Sequence, residues 1–106
     1  MSALLVHCTC PDAACAQGIA RTLVEEGLAA CVQMVPAVQS VYRWQGRIQQ
    51  DEEVLLLIKT ASARRDALLA RVTELHPYEV PELLAFNADS GSAPYLQWLD
   101  AQSGAP

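Results

Sequence analysis

Positive charge is scarce in this sequence. Seven Lys and Arg residues stand against twelve Asp and Glu, giving a net charge of -5. Lys59 is the one lysine, and the arginines are scattered: Arg64-Arg65 is the sole adjacent pair, and Asp66 follows it. Neutralising phosphates takes a stripe or patch of cations, so neither nucleic acid nor an anionic membrane surface is an expected partner. Histidine is equally sparse, with only His7 and His76 to serve as a general base. A phosphate-cradling loop, a nucleophile elbow, H-E-x-x-H and a dinucleotide fingerprint are all missing. The expectation is a protein that is not an enzyme. No apolar run approaches the roughly 20 residues of a membrane-spanning helix. Met1 to Val6 lacks the basic and apolar regions of a secretory signal, which argues for the cytoplasm. The four cysteines, Cys8, Cys10, Cys15 and Cys31, are then expected as free thiols. Their C-x-C spacing is a poor match to a zinc knuckle. Repeats, linkers and low-complexity stretches are missing too.

What is present fits one domain over residues 1–106. Apolar residues make up 52% of the chain, enough for a single core. Ala3 to Cys10 reads as a buried strand ended by Pro11. Pro11 and Asp12 open a helix whose stripe is Ala16, Ile19, Ala20, Leu23 and Val24, with Gly27 just past its end. Ala29 to Trp44 and Arg47 to Thr60 read as two strands joined by a tight turn at Gln45-Gly46. Ser62 is the expected N-cap of a second helix, with Leu68, Leu69, Val72 and Leu75 inside and Pro77 ending it. Val80 to Phe86 reads as a fourth strand, in which Pro81 implies an edge or bulge. Ser92 can cap a last helix, Pro94 to Ala101. The order β-α-β-β-α-β plus a terminal helix predicts an α+β, ferredoxin-like split βαβ sandwich with a long central hairpin.

That hairpin is too long for its domain. Strands of about 15 residues span about 50 Å, whereas a domain of this size is about 35 Å across. The tip should overhang, carrying Val41, Tyr42 and Trp44, and exposed aromatics on a projecting ribbon point to an interface. The sheet also has apolar residues on both faces. Val54, Leu56 and Ile58 point one way and Leu55 and Leu57 the other; Leu4 and Val6 oppose Leu5. The face without helices needs cover, either from a partner subunit or from the last helix.

The segments Cys8-Thr9, Pro11-Asp12, Leu28-Ala29-Ala30-Cys31, Val41-Tyr42-Arg43-Trp44-Gln45-Gly46, Glu53, Lys59-Thr60, His76-Pro77-Tyr78-Glu79-Val80-Pro81-Glu82 and Tyr95-Leu96-Gln97-Trp98-Leu99 together resemble the CutA family of divalent-cation tolerance proteins. The Y-x-W-x-G and H-P-Y-x-x-P-E pieces are the specific ones. The resemblance implies a homotrimer with edge strands pairing between subunits. It also implies a part in tolerance of divalent metal ions, with copper bound by some members.

Cys8 and His76 fall at positions that the family uses for copper. Thiolate and imidazole suit that metal, and thiolate softness favours Cu(I). One departure is Leu75, which stands where a second histidine would precede His76. Cys10, on the same strand face as Cys8, is a candidate third ligand; Glu53 or a group from a neighbouring subunit are others. Each residue also has a structural reading. Cys8 can be a small buried hydrophobe and His76 a helix-end cap. Cys15 and Cys31 read as structural, and His7 as a satisfied histidine. Trp44, Glu53, Lys59 and Tyr78 form a possible inter-subunit pocket, or else an interface ion pair with aromatic packing. The architecture is also similar to PII signalling proteins, which bind small-molecule effectors in inter-subunit clefts, although the hairpin closing at Gln45-Gly46 leaves no long nucleotide-gripping loop. A stability scaffold that anchors another protein is a third possibility.

Overall fold

The computed structural model describes residues 2–103. Strand β1 (Ala3–Cys10) leads into helix α1 (Ala13–Glu25); β2 (Cys31–Trp44) and β3 (Arg47–Ala61) form the hairpin. A 3-10 turn (Ser62–Arg64) then precedes α2 (Arg65–Leu75), and β4 (Leu84–Asn87) and α3 (Ala93–Ser103) close the order. The four-stranded sheet runs β2-β3-β1-β4 with antiparallel neighbours. This is the expected split βαβ arrangement, in which β3 lies between β1 and β2.

Helix α1 is bounded by its sequence. Asp12 is its N-cap, with Oδ1 accepting from the Cys15 N–H at 2.8 Å. At the other end Leu28 N–H donates to Leu23 O and Gly27 N–H to Val24 O, with Gly27 at φ 72°. That is a Schellman closure, and it needs a residue free of a Cβ penalty at positive φ. Ile19 and Leu23 from α1 and Leu68 and Val72 from α2 pack onto Val6, Cys8, Cys10, Leu56 and Ile58. Both helices therefore cover one face, and that layer is the main core.

Two expectations are corrected. Ser62 does not cap α2: the chain leaves β3 through a 3-10 turn, the Ser62 Oγ is buried without a partner, and α2 begins at Arg65. The fourth strand is shorter than Val80 to Phe86. Only Leu84–Asn87 pairs with β1, because Pro77 and Pro81 interrupt residues 76–83.

The hairpin overhangs as expected. Strand β1 pairs with Val54–Ala61 of β3, while residues 47–53 pair with β2 alone. The molecule measures 44 × 25 × 22 Å. A bulge at Pro36-Ala37 separates ribbon from sheet, placing two residues of β2 opposite one of β3. Gln45 and Gly46, at φ 51° and 79°, close the tip as a two-residue turn. Val41 and Ile48 are 64% and 63% exposed there, and Tyr42 and Trp44 are exposed beside them.

Helix α3 covers only one end of the open face. Its Leu99 packs on Ala3, Ala30 and Ala61 at one end of the sheet, and Ser103 Oγ accepts from Ala61 N–H at 2.9 Å. Val35, Leu84 and Phe86 stay exposed, with His7 edge-on to Phe86 at 5.2 Å between ring centroids.

Candidate metal centre and the adjoining cleft

The sequence puts two thiols two residues apart on β1, so both project from the helix-covered side. Helix α2 ends at His76, whose backbone N–H closes the last turn onto Val72 O at 2.8 Å. Pro77 then turns the chain toward β1. The ligand atoms of Cys8, Cys10 and His76 thereby lie within 4.8 Å of one another, and all three residues are buried. It is the one such cluster of three or more His, Cys, Asp or Glu groups among the described residues.

The imidazole is fully engaged. Its Nε2–H donates to Thr9 O at 2.7 Å, and its Nδ1 accepts from Tyr78 N–H at 3.1 Å. A carbonyl only accepts and an amide N–H only donates, so the ring is the neutral tautomer protonated on Nε2. The ring thus reaches across to β1 instead of capping carbonyls of its own helix. The Cys8 thiol also donates toward Thr9 O, at 3.8 Å.

Cys10 is held strongly protonated, first by its hydrogen bond with Cys8 and then by burial. Cys15, on the first turn of α1, packs against the core layer that holds Cys10 and is only partly exposed; burial, then the neighbouring Cys10, push its thiol up to about 11. Sequence reasoning reads Cys15 as structural and misses this contact, which the strand-turn-helix path creates. Cys31 opposes Lys59 on the other side of the sheet.

A cleft of about 910 Å³ opens beside the thiol cluster, between the ribbon and residues 78–82. Trp44, Glu53 and Tyr78 line it together. Tyr78 OH donates to Glu53 Oε2 at 3.1 Å, and burial followed by this bond raises the Tyr78 phenol well above its ordinary value. Tyr42 OH donates to Asp51 in the same wall. Lys59 does not line this cleft. It sits six residues along β3 from Glu53, about 20 Å at strand rise, and its ammonium donates to Gln33. Carboxylates of Asp51, Glu52, Glu53, Glu79 and Glu82 ring the opening, and none of the described residues lining it is basic.

Residues 4–102 match the family described as CutA1 divalent ion tolerance protein. The chain belongs to the CutA family. It is 44% identical over 99 residues to the divalent-cation tolerance protein CutA of Pectobacterium atrosepticum, covering 93% of this chain and 90% of that one. Protein CutA of Homo sapiens is 48% identical over 91 residues, 86% of this chain, which spans 51% of that human protein's length. The crystal structure of CutA from Xylella fastidiosa superposes with a TM-score of 0.94 at 42% identity, covering 97% of this chain and 99% of that one. The CutA fold thus accounts for the long hairpin and for the H-P-Y segment placed beside β1.

Proposed function

We propose that this chain is a copper-binding member of its family that contributes to metal-ion homeostasis, holding Cu(I) through Cys8, Cys10 and His76. The observation that carries this reading is the buried cluster of two thiols and one imidazole within 4.8 Å. The donor set fits the group: soft sulfur ligands and an imidazole suit Cu(I), and three donors suffice for it. Binding through the imidazole gives up one of its two hydrogen bonds, a net loss of about 1 kcal/mol. Structural metal sites return about 10 kcal/mol or more, so that loss does not decide the matter. When bound, the ion supplies a soft cationic centre; the protein supplies shielding from water and a fixed donor triangle. The free thiols suit a reducing cytoplasm.

The working form is a homotrimer. The ribbon tip and the open face of Val35, Leu84 and Phe86 expose apolar surface that neighbouring copies can cover. The decisive measurement is titration of the reduced protein with Cu(I) against a competing chelator. Cys8→Ala/His76→Ala and Cys10→Ala should each lose affinity, and unchanged affinity in both would remove the site.

The cleft favours a second reading, a PII-like regulatory trimer that takes a small-molecule effector between subunits. Its acidic rim selects against nucleotides and carboxylates unless a neighbouring subunit brings cations. A thermal-shift screen separates the two readings: stabilisation by a metabolite and not by metal supports the second.

A further inference from the structure

The two thiols of the proposed copper site are closed off from solvent, and the imidazole is nearly so. Cys8 and Cys10 are 0% exposed and His76 is 7% exposed. An ion taken up by the folded protein must be handed inward. Among the described residues, Cys15 is the partly exposed thiol that packs against the core layer containing Cys8 and Cys10. Its position is fixed, because the Cys15 N–H is held by the Asp12 cap at 2.8 Å. Helix α1 lies on the opposite side of the sheet from the exposed apolar face of Val35, Leu84 and Phe86.

We propose that Cys15 is the loading thiol of the buried site, receiving Cu(I) at the surface and passing it to Cys10 and so to Cys8 and His76. The inference rests on the copper reading above. Cys15, Cys10 and Cys8 form a sulfur ladder running from the first turn of α1 into the core. Each rung exchanges one sulfur–copper bond for another. The proton leaving the receiving thiol passes to the departing one, and copper stays in the +1 state, so no electron moves. A loading ligand need only be transient, which explains why Cys15 lies outside the triangle formed by the other three groups. The fourth cysteine, Cys31, is also partly exposed but lies across the sheet, which makes it the natural control.

The test is anaerobic stopped-flow transfer of Cu(I) from a coloured bidentate chelator complex to the reduced full chain. Both the rate and the end-point are read. Cys15→Ser and Cys15→Ala should reach the wild-type end-point at a rate lower by about 10-fold or more, a size typical of losing a group that supports a metal site. Cys31→Ser should match wild type in both readings. A wild-type rate in both Cys15 variants would overturn the proposal and put the way in at the His76 edge of the cleft. A lowered end-point would also overturn it, making Cys15 a permanent ligand. If Cys8→Ala/Cys10→Ala reaches the wild-type end-point, the copper reading fails and this one with it. Circular dichroism of each variant confirms that rates are compared between folded proteins.

Discussion

His76 joins three parts of the chain through one ring. It ends α2, binds Thr9 of β1 and orients Tyr78, whose hydroxyl in turn holds Glu53. Replacing it by Ala leaves the buried Thr9 O with only the weak thiol contact and takes the acceptor from the Tyr78 N–H at a part-buried position. The apo-protein should lose about 1–3 kcal/mol, the usual penalty of a buried unpaired group, measured by urea denaturation without metal. Arg71 and Glu26 make a second residue-scale prediction. Arg71 Nε and Nη2 each donate to a Glu26 oxygen at 2.9 Å, tying α2 to the end of α1. This pairing holds the Glu26 carboxyl below its ordinary value. A carboxyl lowered by folding contributes stability above its unfolded value of about 4.3, and that contribution disappears as pH falls through the folded value. In Arg71→Ala, NMR titration should find Glu26 back in the ordinary carboxylate range, with its share of the acid sensitivity gone. Cys8 and His76 are singled out in the sequence by the resemblance to the family's motifs, and strand parity adds Cys10 on the same face as Cys8. The packing of Cys15 against the core layer that holds these thiols is not legible in that way. A contact from strand to helix depends on how the Pro11-Asp12 corner turns, which side-chain chemistry does not state.

At the scale of elements, the hairpin is where local chemistry and topology agree. Trp44 pairs with Arg47 across Gln45-Gly46, and both turn residues have positive φ. Gly46→Ala should lower stability by about 1–2 kcal/mol, the cost of left-handed backbone in a residue with a Cβ. Equilibrium denaturation measures it, and since nothing lies within 4 Å of a Cβ built there, steric clash adds nothing. The order of strands and helices is legible because each long element carries its own period. Boundaries fail where prolines intervene. Val80 to Phe86 reads as strand, but Pro81 cannot donate to a ladder, pairing begins only at Leu84, and residues 78–82 serve as a wall of the cleft. Ser62 fails for a related reason: cap chemistry is present, but the 3-10 turn after β3 moves the start of α2 to Arg65. The family's motifs group Lys59 with Glu53, yet strand rise alone separates them within one subunit.

For the whole molecule, the ribbon decides the argument. A two-stranded hairpin is marginal in water by itself, and residues 47–53 have a partner on one side only. In the proposed trimer, neighbouring copies supply the missing support. The backbone amides around Gln45-Gly46 therefore act as a built-in gauge of self-association. In deuterated buffer they should exchange slowly at concentrations where copies stay together and quickly on dilution, while amides of Leu56 and Ile58 in the core change little. Phe86→Asp, which charges the open face, should give the fast pattern at every concentration, alongside a smaller species in sedimentation velocity. Fast, concentration-independent exchange in the wild type would mean that the arm stands free.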